Sequence, residues 1–130
     1  MDKDIASLNR DFAEALFRLV PAFTTNDEKL GLAVSGGPDS LALLLLSAEA
    51  FPGRIAAATV DHGLRPASTA EAEFVASLCR ERAIPHAILR PVVPIRGSIQ
   101  SAARRARYGL LHDWMKAQDI HWLATAHHAD

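Results

Sequence analysis

Residues 30–46 constrain the fold more than any other stretch. They read Leu-Gly-Leu-Ala-Val-Ser-Gly-Gly-Pro-Asp-Ser and then Leu41-Ala42-Leu43-Leu44-Leu45-Leu46. A short, punctuated apolar run before Ser35 has the form of a buried strand. Gly36 and Gly37 are expected to take backbone angles that a Cβ would forbid. Pro38 suits the first turn of a helix, where no N–H is missed. The helix from about Asp39 to Ala50 is nearly apolar, and such a helix is expected to be buried. A strand that turns at once into a helix leaves the first helical amides without internal partners. Together with the helix dipole they form a seat for an anion, most often a phosphate.

The residues around that seat narrow its chemistry. Ser35 and Ser40 add hydroxyl donors on either side of the turn. Asp39 repels a bare phosphate but makes sense beside a bridging divalent cation, since magnesium is commonly held by one or two carboxylates plus phosphate oxygens. The lysine of G-x-x-x-x-G-K-[ST] is absent, and so is the dinucleotide fingerprint G-x-G-x-x-G. Ala33-Val34-Ser35-Gly36-Gly37 lies one residue from the G-x-S-x-G elbow of serine hydrolases, which would make Ser35 a nucleophile. That reading leaves Pro38-Asp39-Ser40 without a job. A glycine turn with no ligand is the plain alternative.

The rest of the chain supplies a frame for this loop. An amphipathic helix is expected over residues 1–23, where Ile5, Leu8, Phe12, Leu16 and Leu19 recur at helical spacing. Ile55 to Val60 reads as a second strand after the Pro52-Gly53 break, followed by the loop Asp61-His62-Gly63-Leu64-Arg65-Pro66. Ser68 to Glu71 has the capping-box spacing and is expected to open a helix to about Ala83, with Ala72, Val75, Leu78 and Cys79 inside. Ala87 to Leu89 reads as a third strand, and Arg90 to Gly97, with two prolines, as irregular. Ser98 is expected to cap a helix from Ile99 to about Gln118, with Ile99, Ala103, Ala106 and Leu110 on its core face. Ile120 to Thr125 reads as a fourth strand.

Strand and helix alternation argues for an α/β domain with a mainly parallel sheet. In such sheets ligands bind outside the carboxyl ends of the strands. Loops 35–40, 61–66 and 126–130 fall there. Between Arg90 and Arg107 stand five arginines and no acid, and Gln100, Arg104, Arg107 and Leu111 share one helical stripe bordering the core. An arginine pair leaning over an anion seat holds phosphate through forked hydrogen bonds, and single-stranded or folded RNA can use the same patch. His62, His127 and His128 lie in the active-edge loops, whereas His86, His112 and His121 read as structural or surface residues. A zinc set drawn from the three loop histidines and Asp61 matches no known spacing.

The net charge of −1 advertises no global nucleic-acid field, and the 49% apolar, 22% charged composition is that of a globular domain. The acidic start and the short longest apolar run, Leu41 to Leu46, predict neither signal peptide nor membrane span, hence a cytoplasmic protein. The single cysteine, Cys79, allows no internal disulfide.

Ser-Gly-Gly-Pro-Asp-Ser after an apolar strand resembles the pyrophosphate-binding loop of the N-type ATP pyrophosphatases, the PP-loop superfamily. Three further stretches resemble the tRNA(Ile)-lysidine synthetases: Val60-Asp61-His62-Gly63-Leu64-Arg65 followed by Ser68 and Glu71, Ala103-Arg104-Arg105-Ala106-Arg107-Tyr108 (A-R-x-x-R-Y), and Thr125-Ala126-His127-His128-Ala129-Asp130. Ser98 and Gln100 stand where that family usually has Asn and Glu.

The resemblance implies a Rossmann-like three-layer α/β/α fold of the adenine nucleotide alpha hydrolase type. It implies that residues 1–130 are the N-terminal part of an ATP-binding catalytic domain whose tRNA-recognition domains lie elsewhere. The implied reaction is adenylation of the wobble cytidine of tRNA(Ile) with anticodon CAU, followed by attack of L-lysine to form lysidine. ATP and Mg2+ are the implied cofactors, with no membrane partner and homodimerisation left open. Ser35, Gly36, Gly37, Pro38, Asp39, Ser40, Val60 and His62 would bind ATP. Asp39, Arg104, Arg107 and His127 would act in catalysis, and Asp39 and Asp130 would hold magnesium. A tRNA thiolase of the same superfamily, which normally needs two redox cysteines, and an ATP-binding module without chemistry are the alternatives.

Overall fold

In a computed structural model of the chain, residues 28–63, 66–91 and 99–125 are described. Strands β1 (Leu30–Ala33), β2 (Ile55–Val60), β3 (His86–Leu89) and β4 (Trp122–Thr125) alternate with helices α1 (Pro38–Ala50), α2 (Pro66–Glu81) and α3 (Ile99–Gln118). The expected helix over 1–23, the irregular segment 92–97, the Ser98 cap, Leu64, Arg65 and the loop 126–130 lie outside the described residues.

All pairings are parallel, in the order β3-β2-β1-β4. Ala33 is the register partner of both Ala58 on β2 and Thr125 on β4. The chain steps outward from β1 through β2 to β3, then returns to the other side of β1. The strand order therefore reverses between β1 and β4, the place where open α/β sheets bind ligands.

Alternating strand residues serve two helix layers. Leu30, Leu32, Ile55 and Ala57 pack with Leu44 of α1 and with Val75 and Cys79 of α2. Ala33, Ala56 and Ala58 pack on the other face with Leu111 and Trp114 of α3 and with Ile120. The three-layer α/β/α arrangement is the expected one. The second face is built small because the Trp114 ring lies close to it. A Cβ at Gly31 would stand 3.0 Å from Ile120 Cγ2 and 3.3 Å from Trp114 Cζ3.

Several local expectations need correction. Helix α1 is not fully buried: Ser40, Leu44 and Ser47 face the sheet, while Leu41, Leu43, Leu45 and Leu46 are half-buried and Ala42 is exposed. A helix on one side of a sheet has only one covered face, whatever its composition. Helix α2 begins at Pro66, two residues before the capping-box serine, because proline is itself a favourable first helical residue. Its inner face carries Ala72, Val75 and Cys79 as expected, with Leu78 half-buried.

In α3 the buried residues are Leu111 and Trp114, and Ala106 and Leu110 are only half-buried. The side chains of Ile99 and Ala103 lie outside the description. The inner stripe of α3 is thus the one that carries Arg107. A 20-residue helix is about 30 Å long, far longer than a four-residue strand of about 13 Å. Its carboxyl half packs on the sheet, so its amino half reaches past the sheet edge.

Helices α2 and α3 end alike. Ala83 and Asp119 both take φ of 57°. Ile84 N–H donates to Cys79 O at 2.9 Å and Ile120 N–H to Met115 O at 2.8 Å, as in a Schellman motif. The buried Ile84 and Ile120 are the apolar residues that accompany that motif. This turn absorbs Ile120, so β4 starts at Trp122.

Candidate functional site

A cleft of about 260 Å³ opens at the carboxyl ends of β1, β2 and β4. Its floor is Ala33 and Val34 from the β1 end, Ala58 and Val60 from β2, and Thr125 from β4. Ser35 and Ser40 line it from the glycine loop and α1, His62 from the loop after β2, Ser68 and Glu71 from α2, and Arg107 from α3. Small floor residues leave the volume, and polar side chains from four surrounding segments aim at it.

The loop itself is braced locally. Ser35 Oγ accepts the Gly37 N–H at 3.3 Å. Gly37 is the N-cap of α1, with φ −73° and ψ 157°, and no side chain caps that helix. Pro38 follows at the first helical position, and Gly37 O accepts the Leu41 N–H at 3.0 Å. The expected reason for the glycines is corrected here. Among the described glycines only Gly53 and Gly63 have positive φ. Gly36 is required for space instead: a Cβ there would meet both Cβ and Cγ of Glu71 at 3.2 Å.

Behind the wall lies a buried carboxylate. Asp61 is 2% exposed. It accepts the Gly63 N–H at 3.0 Å, the Thr69 hydroxyl at 2.9 Å and Arg90 Nε at 3.2 Å. Burial raises its pKa, but these three donors and the Arg90 charge outweigh burial and hold it below the ordinary 3.8. His62, next in sequence, is pushed below 6.5 by burial and then by the Arg107 charge, against the opposing pull of Asp61. It is therefore neutral at pH 7, with one ring nitrogen donating and one accepting. Its Nδ1 is buried and has no hydrogen-bond partner among the described residues. Arg107 Nη2 donates to Thr125 Oγ1 at 3.4 Å, which holds the guanidinium against the end of β4.

Of the residues singled out from sequence, Ser35, Ser40, Val60, His62 and Arg107 share the cleft wall. Gly36, Gly37, Pro38 and Asp39 form the loop beside it without lining it, and Pro38 and Asp39 are exposed. Arg104 does not line the cleft; its guanidinium lies 6.0 Å from the Tyr108 ring centroid. His127 and Asp130 lie outside the described residues. Ser68, Glu71 and Thr125 line the cleft without having been singled out as site residues. Their signal was present: Ser68 and Glu71 stand three apart on the helix after the second loop, and Thr125 ends a strand at the active edge.

The serine-hydrolase reading finds no support, since the Gly37 amide is the partner of Ser35 Oγ and no histidine bonds to it among the described residues. The zinc set loses Asp61, whose oxygens are engaged by Gly63, Thr69 and Arg90. His86 is structural, as expected: its Nε2 shares a 2.9 Å hydrogen bond with Thr59 Oγ1 across β2 and β3. Among the described residues no helix is long and apolar enough to cross a membrane.

Comparison with known proteins decides the family. The PP-loop domain family matches residues 7–130. The chain belongs to the PP-loop domain family. A tRNA(Ile)-lysidine synthase of Zymomonas mobilis is 52% identical over 104 residues, covering 78% of this chain and 31% of the relative. One from Novosphingobium aromaticivorans is 50% identical over 99 residues, covering 76% of the chain and 30% of the relative. The PP-loop chain thus spans less than a third of the length of these relatives. Two solved structures share the fold. They are the U34-tRNA thiolase NcsA from Methanococcus maripaludis with its [4Fe-4S] cluster (TM-score 0.68, 22% identity, 78% of this chain and 39% of that one), and an NH3-dependent NAD synthetase from Campylobacter jejuni (TM-score 0.65, 17% identity, 92% and 55%).

Proposed function

We propose that this chain is the ATP-handling part of a tRNA(Ile)-lysidine synthase, a carbon–nitrogen ligase of the cytoplasm. ATP is split between its α and β phosphates. The oxygen on carbon 2 of the wobble cytidine, in the tRNA with anticodon CAU, bonds to the α phosphorus as pyrophosphate leaves. The amine of free lysine then bonds to that carbon, AMP leaves with the oxygen, and lysidine is formed. Domains beyond this chain would select the tRNA.

One observation carries the reading: Ser35, Ser40, neutral His62 and the Arg107 guanidinium line a single cleft at the point where the strand order reverses. Ser35, Ser40 and the opening amides of α1 would bind the departing pyrophosphate, and preorganised donors of this kind are usually the largest catalytic contribution. Arg107 would hold phosphate oxygens. The backbone near Val60 would meet adenine, with His62 beside it. Gly36 keeps the loop close under Glu71.

Magnesium fits these residues as a bridging ion. Among the described residues no three His, Cys, Asp or Glu side chains form a protein-built cage. Magnesium usually takes one or two carboxylates and completes its shell with phosphate oxygens and water. Asp39, exposed in the first turn of α1, would supply the carboxylate, or would help deprotonate the lysine amine; Asp130 is the second carboxylate candidate. The ion would neutralise charge on the leaving diphosphate.

The thiolase alternative needs redox-active cysteines. Cys79, the single cysteine of the sequence, is fully buried against the sheet, and burial pushes its thiol up to about 11. The deciding assay incubates the full-length protein with ATP, magnesium, radiolabelled lysine and tRNA(Ile). Label in the tRNA is expected; intact protein that transfers none defeats the assignment. Asp39→Ala is expected to abolish adenylate formation with the fold retained, and unchanged turnover would remove Asp39 from the mechanism.

A further inference from the structure

Asp61 is a buried charge to which the reaction above gives no role. It follows β2 directly, and its own N–H continues the sheet by donating to Leu89 O at 2.8 Å. Its side chain gathers three other segments: Gly63 in the loop after β2, Thr69 in the first turn of α2, and Arg90 just beyond β3. A buried carboxylate is costly to keep unless its oxygens are fully engaged, and here each oxygen has a donor. The partners matter for where they stand. Thr69 lies between Ser68 and Glu71, both on the cleft wall. Glu71 is the side chain that closes on Gly36. His62, also on the wall, adjoins Asp61 in the chain.

We propose that Asp61 is a positioning residue for the nucleotide: through Thr69 it pins the first turn of α2 to the end of β2, and so sets Ser68 and Glu71 against the glycine loop. The role rests on the ATP reading given above. Asp61 touches no reacting atom. A small displacement of the wall matters because misplacement by about 1 Å can cost a hundredfold in rate.

The test separates this role from mere fold stability. Thr69→Val removes the hydroxyl at nearly constant volume from an exposed position, and Thr69→Ser keeps it. In the full-length protein Thr69→Val is expected to raise the KM for ATP about tenfold, with kcat and melting temperature little changed, and Thr69→Ser to behave as wild type. Asp61→Asn is expected to raise the KM further and to lower the melting temperature. A wild-type KM in Thr69→Val, or a loss confined to melting temperature, would overturn the pin alone. A wild-type protein that uses no ATP would overturn the functional reading and this role together.

Discussion

Gly36→Ala tests how the glycine loop is built. The added methyl carbon would lie 3.2 Å from Cβ and 3.2 Å from Cγ of Glu71, and 3.6 Å from its Cδ. Carbon pairs prefer roughly 3.5–4.0 Å, so loop and helix must part by a few tenths of an ångström. Cγ and Cδ can swing aside; Cβ is fixed to the α2 backbone and cannot. The strain belongs at the low end of overpacking, about 1 kcal/mol, or about 4 °C in melting temperature for a chain of this size. The same displacement moves Ser35 against Glu71 across the cleft, and about 1.4 kcal/mol of lost contact would weaken ATP binding tenfold. Thermal melts and calorimetry with ATP and magnesium read both. A double-mutant cycle with Glu71→Ala decides the cause. Because Gly36 does not use left-handed backbone angles, trimming Glu71 should recover part of the loss, with a coupling of at least about 0.5 kcal/mol. Strictly additive losses, or a Gly36→Ala protein that binds and melts as wild type, would refute the close-approach explanation.

Three other perturbations have expected outcomes. Gly31→Ala forces a methyl to 3.0 Å from Ile120 Cγ2 and 3.3 Å from both Trp114 Cζ3 and the Trp122 carbonyl oxygen; a loss of about 2 kcal/mol, read as a lower denaturant midpoint at constant m, is expected. Ala83→Gly should raise stability by about 1 kcal/mol, since φ of 57° is strained for any residue with a Cβ, and an unchanged or lower melting temperature would contradict this. The depressed pKa of Asp61 means that its contribution is complete above the ordinary 3.8 and is lost as pH falls through the lower folded value. Acid titration of Asp61→Asn should therefore show a shallower stability loss below that pH than the wild type, and superimposable acid limbs would argue against it.

Much of the architecture was legible because punctuation surrounds it. Strand β2 occupies Ile55–Val60 and α3 runs Ile99–Gln118, as their flanking Pro, Gly and Ser residues indicate. Burial around a helix was harder to read. The leucine run of α1 suggests enclosure on all sides, but only tertiary packing decides how many sides are covered. The inner stripe of α3 moved for the same reason: Leu111 and Trp114 meet a sheet face made of alanines, which periodicity alone cannot locate. At the site, Ser35 and Ser40 were readable because neighbours along the chain share one turn. Glu71 and Thr125 were not, since one approaches Gly36 through helix packing and the other meets Ala33 through strand register.

The two tryptophans of the sequence fall on opposite sides of the sheet. Trp114 is enclosed beneath α3, and Trp122 packs toward α1 and α2 with its indole Nε1–H donated to Glu28 Oε2 at 2.7 Å. Intrinsic fluorescence therefore views each helical layer separately once the other indole is replaced by phenylalanine. Coincident emission changes during unfolding would mean that both layers come apart as one unit, and staggered changes would reveal which side loosens first.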